Sequence, residues 1–302
     1  MLPFGEMEWE VPLVLSRGTI AVVAAGFGLL IGSFLNVVIH RLPREESIVH
    51  PPSHCPGCQA PLRWYDNVPL LSYLWLRGRC RGCGAGISPR YPAVEALTGL
   101  LFALVALRFG AAPMTVLGCA FAAALVATAF IDFDHQIIPD EISLGGLVVA
   151  LLAVPALHWL AGQALAAALL HSLTGAALGG GILWLVGFVH ARLAVVLGRE
   201  FEHWPGEGEP LPSVGSLDYW TWFPGVGFGD VKLLAMIGAV LGPFGAIETI
   251  VAASLVGLLL GAVFALAGGR WNAPFGFAPA LALGALAVFL LPERFALLPI
   301  PG

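Results

Sequence analysis

The chain has 302 residues, of which 58% are hydrophobic and 11% charged, against roughly 25% charged in a soluble domain. So little polar surface cannot coat a water-exposed globule of this size, and a bilayer must cover much of the outside. The net charge of -5 excludes the basic field that would hold nucleic acid, and no repeat, Gln/Asn tract or heptad run is present.

At the N-terminus Glu6, Glu8 and Glu10 stand where a secretory signal would carry Lys or Arg, so the first apolar stretch is expected to stay as a membrane helix. A spanning helix needs about 20 mostly apolar residues. Eight segments answer to that: Val11–Val38, Pro92–Leu107, Pro113–Phe130, Ile142–Leu160, Leu165–Leu197, Gly229–Leu241, Ala246–Ala267 and Pro274–Leu291. The sixth is short and closer to a buried or interfacial helix.

Seven of the fourteen Lys and Arg residues fall in the loop after the first span: Arg41, Arg44, Arg63, Arg77, Arg79, Arg81 and Arg90. Alternating the spans puts Arg192, Arg199, Lys232 and Arg270 on the same side, and only Arg17, Arg108 and Arg294 opposite. Cytoplasmic loops are enriched in Lys and Arg, so the first loop and residues 198–226 are expected in the cytoplasm. The second of these carries Glu200, Glu202, Glu207, Glu209 and Asp218. The expected fold is an all-α polytopic membrane protein with about eight transmembrane helices. Residues 1–40 hold the first helix, 41–91 a small cytoplasmic domain, and 92–302 a membrane domain with an insertion at about 198–226.

The first loop contains His54-Cys55-Pro56-Gly57-Cys58 and Cys80-Arg81-Gly82-Cys83. Each C-x-x-C knuckle puts two thiolates on one tight turn, and two facing knuckles complete the closed four-sulfur tetrahedron of structural zinc. The arginines around the second knuckle would offset the charge of such a centre. Two disulfides are the alternative, which a reducing cytoplasm disfavours. His54 reads as a surface neighbour, with replacement of a thiol as its other role. Cys119, inside the third span, reads as a packing residue.

Ionisable groups at a membrane boundary are functional candidates. The third span runs out through Asp132, Asp134 and His135, and the sixth opens Gly225-Val226-Gly227-Phe228-Gly229-Asp230. Two carboxylates close together share a proton. One then serves as general base on a water, and the other polarises a carbonyl and protonates a leaving amine. Against this, Asp230 could be no more than a helix cap, the role expected of Asp140 at the fourth span. Asp134 competes with Asp132, two residues away on another helix face. The glycines before Asp230 form no phosphate loop but leave room for a substrate strand.

Several stretches together resemble one family. They are Gly32-Ser33-Phe34-Leu35-Asn36 through Arg41-Leu42-Pro43, the two knuckles, Trp64 to Tyr73, Ile87 to Glu95, the D-x6-P pattern Asp132–Pro139, the G-x-G-D pattern Gly227–Asp230, and Pro274–Pro279. The chain is similar to the bacterial type IV prepilin peptidases, the leader peptidase/N-methyltransferases of the inner membrane. The resemblance implies cleavage of the basic leader of type IV prepilins or pseudopilins after a glycine, then methylation of the new N-terminal residue with S-adenosylmethionine. It implies Asp132 and Asp230 as the catalytic pair, and Cys55, Cys58, Cys80 and Cys83 as zinc ligands. The link between the two aspartates is longer than the family commonly has, and residues 198–226 read as an inserted loop or a binder of the basic leader. Other readings are a peptidase without methyl transfer, since no Rossmann strand–turn–helix is visible, and a zinc-anchored transporter or assembly scaffold.

Overall fold

Ser16 opens the first helix, its hydroxyl accepting the Thr19 amide, and α1 runs over Arg17–Arg41. The structure is a computed structural model that describes residues 15–199, 201, 204, 210–266 and 276–291. The sequence features at Glu6, Glu8, Glu10, Glu200, Glu202, Glu207, Glu209, Arg270, Pro274, Phe275 and Arg294 lie outside the described residues. Those described form helices, turns and isolated bridges, with no strand among them, in line with the all-α expectation. Two compact units divide the chain between Ile137 and Ile138.

In the first unit, α1 is followed by the cysteine-bearing loop with the short α2 (Leu71–Trp75), then by α3 (Arg90–Phe109) and α4 (Pro113–His135). Gly28, Gly32 and Asn36 stand four residues apart and so share one face of α1. A Cβ at Gly28 would lie 2.8 Å from the Gly99 Cα, and one at Gly32 would lie 2.7 Å from the Glu95 Cα. Without side chains there, α1 and α3 touch backbone to backbone, the G-x-x-x-G device of membrane helix pairs. One turn further, Asn36 donates to the Tyr91 and Gly32 carbonyls at 3.1 and 3.2 Å, which satisfies a buried amide.

In the second unit lie α5 (Asp140–Leu160), α6 (Leu165–Val196), α7 (Asp218–Thr221), α8 (Phe228–Leu266) and α9 (Ala278–Leu290). Gly175 and Gly179 of α6 again form a G-x-x-x-G pair, against the carbonyls of Gly238 and Leu234 in α8. The later part of α8 carries α9, where Gly284 faces Ala253 and Thr249.

Six described helices are long and apolar enough to cross a membrane, and α9 is a shorter apolar helix. One of the six, α8, has 39 residues. At 1.5 Å per residue that is about 58 Å, nearly twice a hydrocarbon core of roughly 30 Å. Gly242 breaks it with φ 76° and ψ -178°, and Pro243 follows, which cannot continue the preceding hydrogen-bond ladder. The two parts cover the expected sixth and seventh segments, and α9 covers the described part of the eighth. The first part is the short one, as its sequence length indicates.

Candidate active site and metal centre

Both cysteine knuckles have the same local build. Cys55 accepts the Gln59 amide and donates its own to Ala60; Cys80 does the same with Gly84 and Ala85. The turns close through matching bridges, His54 with Pro61 and Arg79 with Gly86. Gln59 and Gly84 occupy equivalent left-handed positions, φ 58° and 73°. The repeated turn brings the four sulfurs of Cys55, Cys58, Cys80 and Cys83 within 4.8 Å of one another. They are the one group of three or more metal-ligating side chains among the described residues.

All four are free thiols, and Cys55 Sγ lies 3.8 Å from Cys83 Sγ. A zinc tetrahedron with Zn–S of about 2.3 Å has sulfur–sulfur edges of about 3.8 Å, whereas a disulfide needs about 2.05 Å. The donor set therefore fits a structural zinc. The Cys58 amide, then that of Gly57, pulls the Cys55 thiol down to about 6. At Cys83 the Ala85 amide pulls down, but burial and the three other thiols outweigh it and push the group up to about 11. Four thiols this close cannot all ionise without a cation among them.

His54 is exposed, with Nδ1 near the Pro52 carbonyl, and stands outside the sulfur group. Arg81, within the second knuckle, is held by an acidic partner from the same loop. Its Nε and Nη2 both bind Asp66 Oδ1, at 2.8 and 2.7 Å, and that hydrogen bond raises its pKa.

Asp132 opens the last turn of α4 and is 5% exposed; its carbonyl accepts the Gln136 amide where the helix stops in a left-handed residue. Asp134, on another face, is held by Arg90, which donates from Nη1 at 2.5 Å and from Nη2 to the Phe130 carbonyl at 3.3 Å. Thus one carboxylate of the D-x-D run is buried and the other is paired with a cation. Sequence reasoning missed Arg90 because nothing in its local pattern marks a partner in a helix far along the chain.

Asp230 sits in the second unit, in the first turn of α8, with its amide on the Gly227 carbonyl. It is the third residue of the helix, so Gly227 and not Asp230 holds the cap position. Ile138 lies against Gly229, where an added Cβ would come 3.0 Å from the Ile138 Cβ. The glycine before the aspartate thus admits the end of the D-x6-P segment. Asp140 was expected to cap α5. Pro139 takes that position, with no side-chain cap, and Asp140 forms an ion pair with Lys232 of α8 instead. A long-range cation outcompetes the local amides.

Part of the expected insertion is folded against α6. Trp204 and Phe223 are buried with Ala191, and Trp184 and Phe188 stack on Trp220. Arg192 lies 3.7 Å over the Tyr219 ring and donates to its carbonyl at 2.7 Å. Trp184, Trp204 and His190 donate to the carbonyls of Trp220, Trp222 and Pro224 at 2.8, 3.1 and 3.1 Å. The backbone leading into Gly225–Asp230 is therefore held by side chains at almost every step.

These features define a polytopic helical membrane protein with a four-thiol centre and aspartates at the ends of its helices. The chain matches the bacterial peptidase A24 N-terminal domain over residues 27–109 and the type IV leader peptidase family over 119–266. It is 40% identical over 245 residues to the prepilin leader peptidase/N-methyltransferase of Myxococcus xanthus, covering 80% of this chain and 62% of that protein. With the Neisseria gonorrhoeae protein of the same name it shares 34% over 297 residues, 88% and 89% of the two chains. With the type 4 prepilin-like proteins leader peptide-processing enzyme of Escherichia coli it shares 34% over 292 residues, 91% and 95%. The chain belongs to the type IV leader peptidase family. No solved structure matches it.

Proposed function

We propose that this protein is an aspartic endopeptidase that removes the basic leader from type IV prepilins or pseudopilins at the cytoplasmic face of the bacterial inner membrane. The observation that carries the reading is the full set of family motifs, together with a buried Asp132 beside an Asp134 already committed to Arg90. Asp132 and Asp230 form the catalytic pair. The ionised member takes a proton from water, which attacks the scissile carbonyl. The protonated member polarises that carbonyl and then protonates the departing amine. Asp134 stays out, because its carboxylate is already occupied by the Arg90 guanidinium. The excess of Lys and Arg, eleven to three, on the side to which span alternation assigns both the thiol loop and the start of α8 supports the cytoplasmic placement.

The relatives' names extend the reading to a second activity, N-methylation of the new N-terminus from S-adenosylmethionine. With no strand among the described residues, the donor would be held on helices and the thiol domain and not on a Rossmann unit. Zinc on Cys55, Cys58, Cys80 and Cys83 would hold the two knuckles together; four thiolates leave no open position for catalysis. The transporter reading has little support beside the family membership.

Co-expression with a prepilin tests both activities, followed by mass analysis of the product. Leader loss plus one methyl increment is expected. Leader loss alone removes the methyltransferase, and an intact leader removes the peptidase.

A further inference from the structure

Between the knuckles lies a segment that the sequence presents as part of a water-facing loop. Its large apolar side chains point outward. Trp64 and Trp75 are each 82% exposed, Leu71 is 67% and Leu74 is 69%. Soluble surfaces scatter such residues singly, and a cluster marks a partner. Here the neighbour is the first membrane helix. Val68, Pro69, Leu70 and Leu71 line an apolar cleft of 510 Å³ together with Val23, Phe27 and Leu30 of α1. Those α1 residues belong to a candidate membrane span.

The depth of the segment can be read from its tether. The Leu70 amide donates at 2.9 Å to Glu95 Oε2. Glu95 is five residues into α3, about 7.5 Å beyond the helix start at 1.5 Å per residue. A carboxylate at that depth in a span needs a role, and here it holds a loop. Leu70 has φ 59°, a conformation an L side chain rarely adopts, and the tether sustains it.

Hydrocarbon tolerates non-helical backbone only where its polar groups are satisfied within the protein. Most of this segment's amides meet the condition. The amides of Leu71, Ser72, Leu74 and Leu76 bond the carbonyls of Pro69, Val68, Leu70 and Ser72 at 2.6, 3.0, 3.0 and 2.9 Å. The Ser72 hydroxyl takes Val68 as well, at 2.6 Å, and Pro69 has no N–H. Arginines bracket the run, Arg63 before Trp64 and Arg77 and Arg79 after Trp75. Tryptophan with flanking cations is the pattern of a membrane interface.

We propose that residues 68–75 are a re-entrant element that dips into the bilayer beside α1, with Leu71 and Leu74 among lipid acyl chains and Trp64 and Trp75 at the headgroup boundary. The thiol domain is then seated in the membrane surface and not merely linked to it by its two ends.

The test is tryptophan emission from the full chain in liposomes, with Trp75 isolated by subtracting Trp75→Phe from the native protein. Its emission should be blue-shifted, insensitive to iodide, and reduced about twofold by lipids brominated high on the acyl chain, as for an interfacial ring. Emission at the position of tryptophan in water, quenched by iodide and unaffected by bromolipid, would overturn the proposal. Should Trp75→Phe fail to accumulate, Trp64→Phe gives the same two readings. In a Glu95→Ala background the Leu70 tether is lost and the bromolipid effect should weaken; an unchanged effect would remove Glu95 as the anchor that sets the depth.

Discussion

Asn substitutions at Asp132 and Asp134 separate two carboxylates that sequence spacing alone leaves in competition. Asp134 is bound to Arg90 at 2.5 Å, with both side chains about a third exposed, 28% and 34%. Pairs this exposed contribute roughly 0.2–1 kcal/mol after solvent screening. If all of that fell on the catalytic step, Asp134→Asn would slow leader cleavage by no more than about fivefold. Asp132 is buried, and as general acid or base its removal should slow cleavage by about 10²–10⁴. The two variants should therefore differ by at least an order of magnitude. Initial rates of leader release from full-length prepilin in proteoliposomes, read by gel mobility, measure both. The reasoning fails if Asp134→Asn is as slow as Asp132→Asn, or if Asp132→Asn keeps more than about a tenth of the native rate.

Purified protein should hold one zinc per chain, and Cys80→Ser should lose it and open residues 41–91 to protease. Acidification should release the metal too, since protons compete for the same sulfurs; metal analysis across pH follows both. Lys232→Asp should lower kcat/KM by about fivefold, the worth of a partly exposed ion pair near 1 kcal/mol, and adding Asp140→Lys should recover most of it. A double variant no better than the single would separate the pair from activity. Gly32→Ala puts a Cβ 2.7 Å from the Glu95 Cα, so α1 and α3 must part at about 1–3 kcal/mol, measured as a lower melting temperature in detergent. Arg192→Ala removes a donor to the Tyr219 carbonyl and a cation over its ring, worth about 1–2 kcal/mol. It should lower the melting temperature and leave the KM for prepilin unchanged, whereas a raised KM would return the insertion to leader binding.

What the sequence determined was local or compositional. The shortage of charge set the membrane class, because burial in lipid is a property of the whole surface. The thiol centre was legible because each knuckle is one tight turn, and the turn itself orients both sulfurs. The helices were legible from apolar runs, and even the short sixth span appears as the first part of α8 before Gly242. Asp132 and Asp230 were legible as carboxylates at span ends and through their motifs.

What tertiary structure decided were partners brought together over long distances in the chain. Asp140 had the position of a cap but met Lys232, and a charge that arrives from another helix is invisible to local pattern. Arg81 stood next to the thiols in sequence and turned to Asp66. Arg90 paired with Asp134 from the far end of the basic loop. Residues 198–226 looked inserted because the link between the two aspartates is long, yet Trp204, Trp220 and Phe223 from that stretch pack on α6. The segment at Leu70 read as loop because its apolar run is too short to span. Only the Glu95 carboxylate, waiting inside α3, gives that backbone a place at membrane depth.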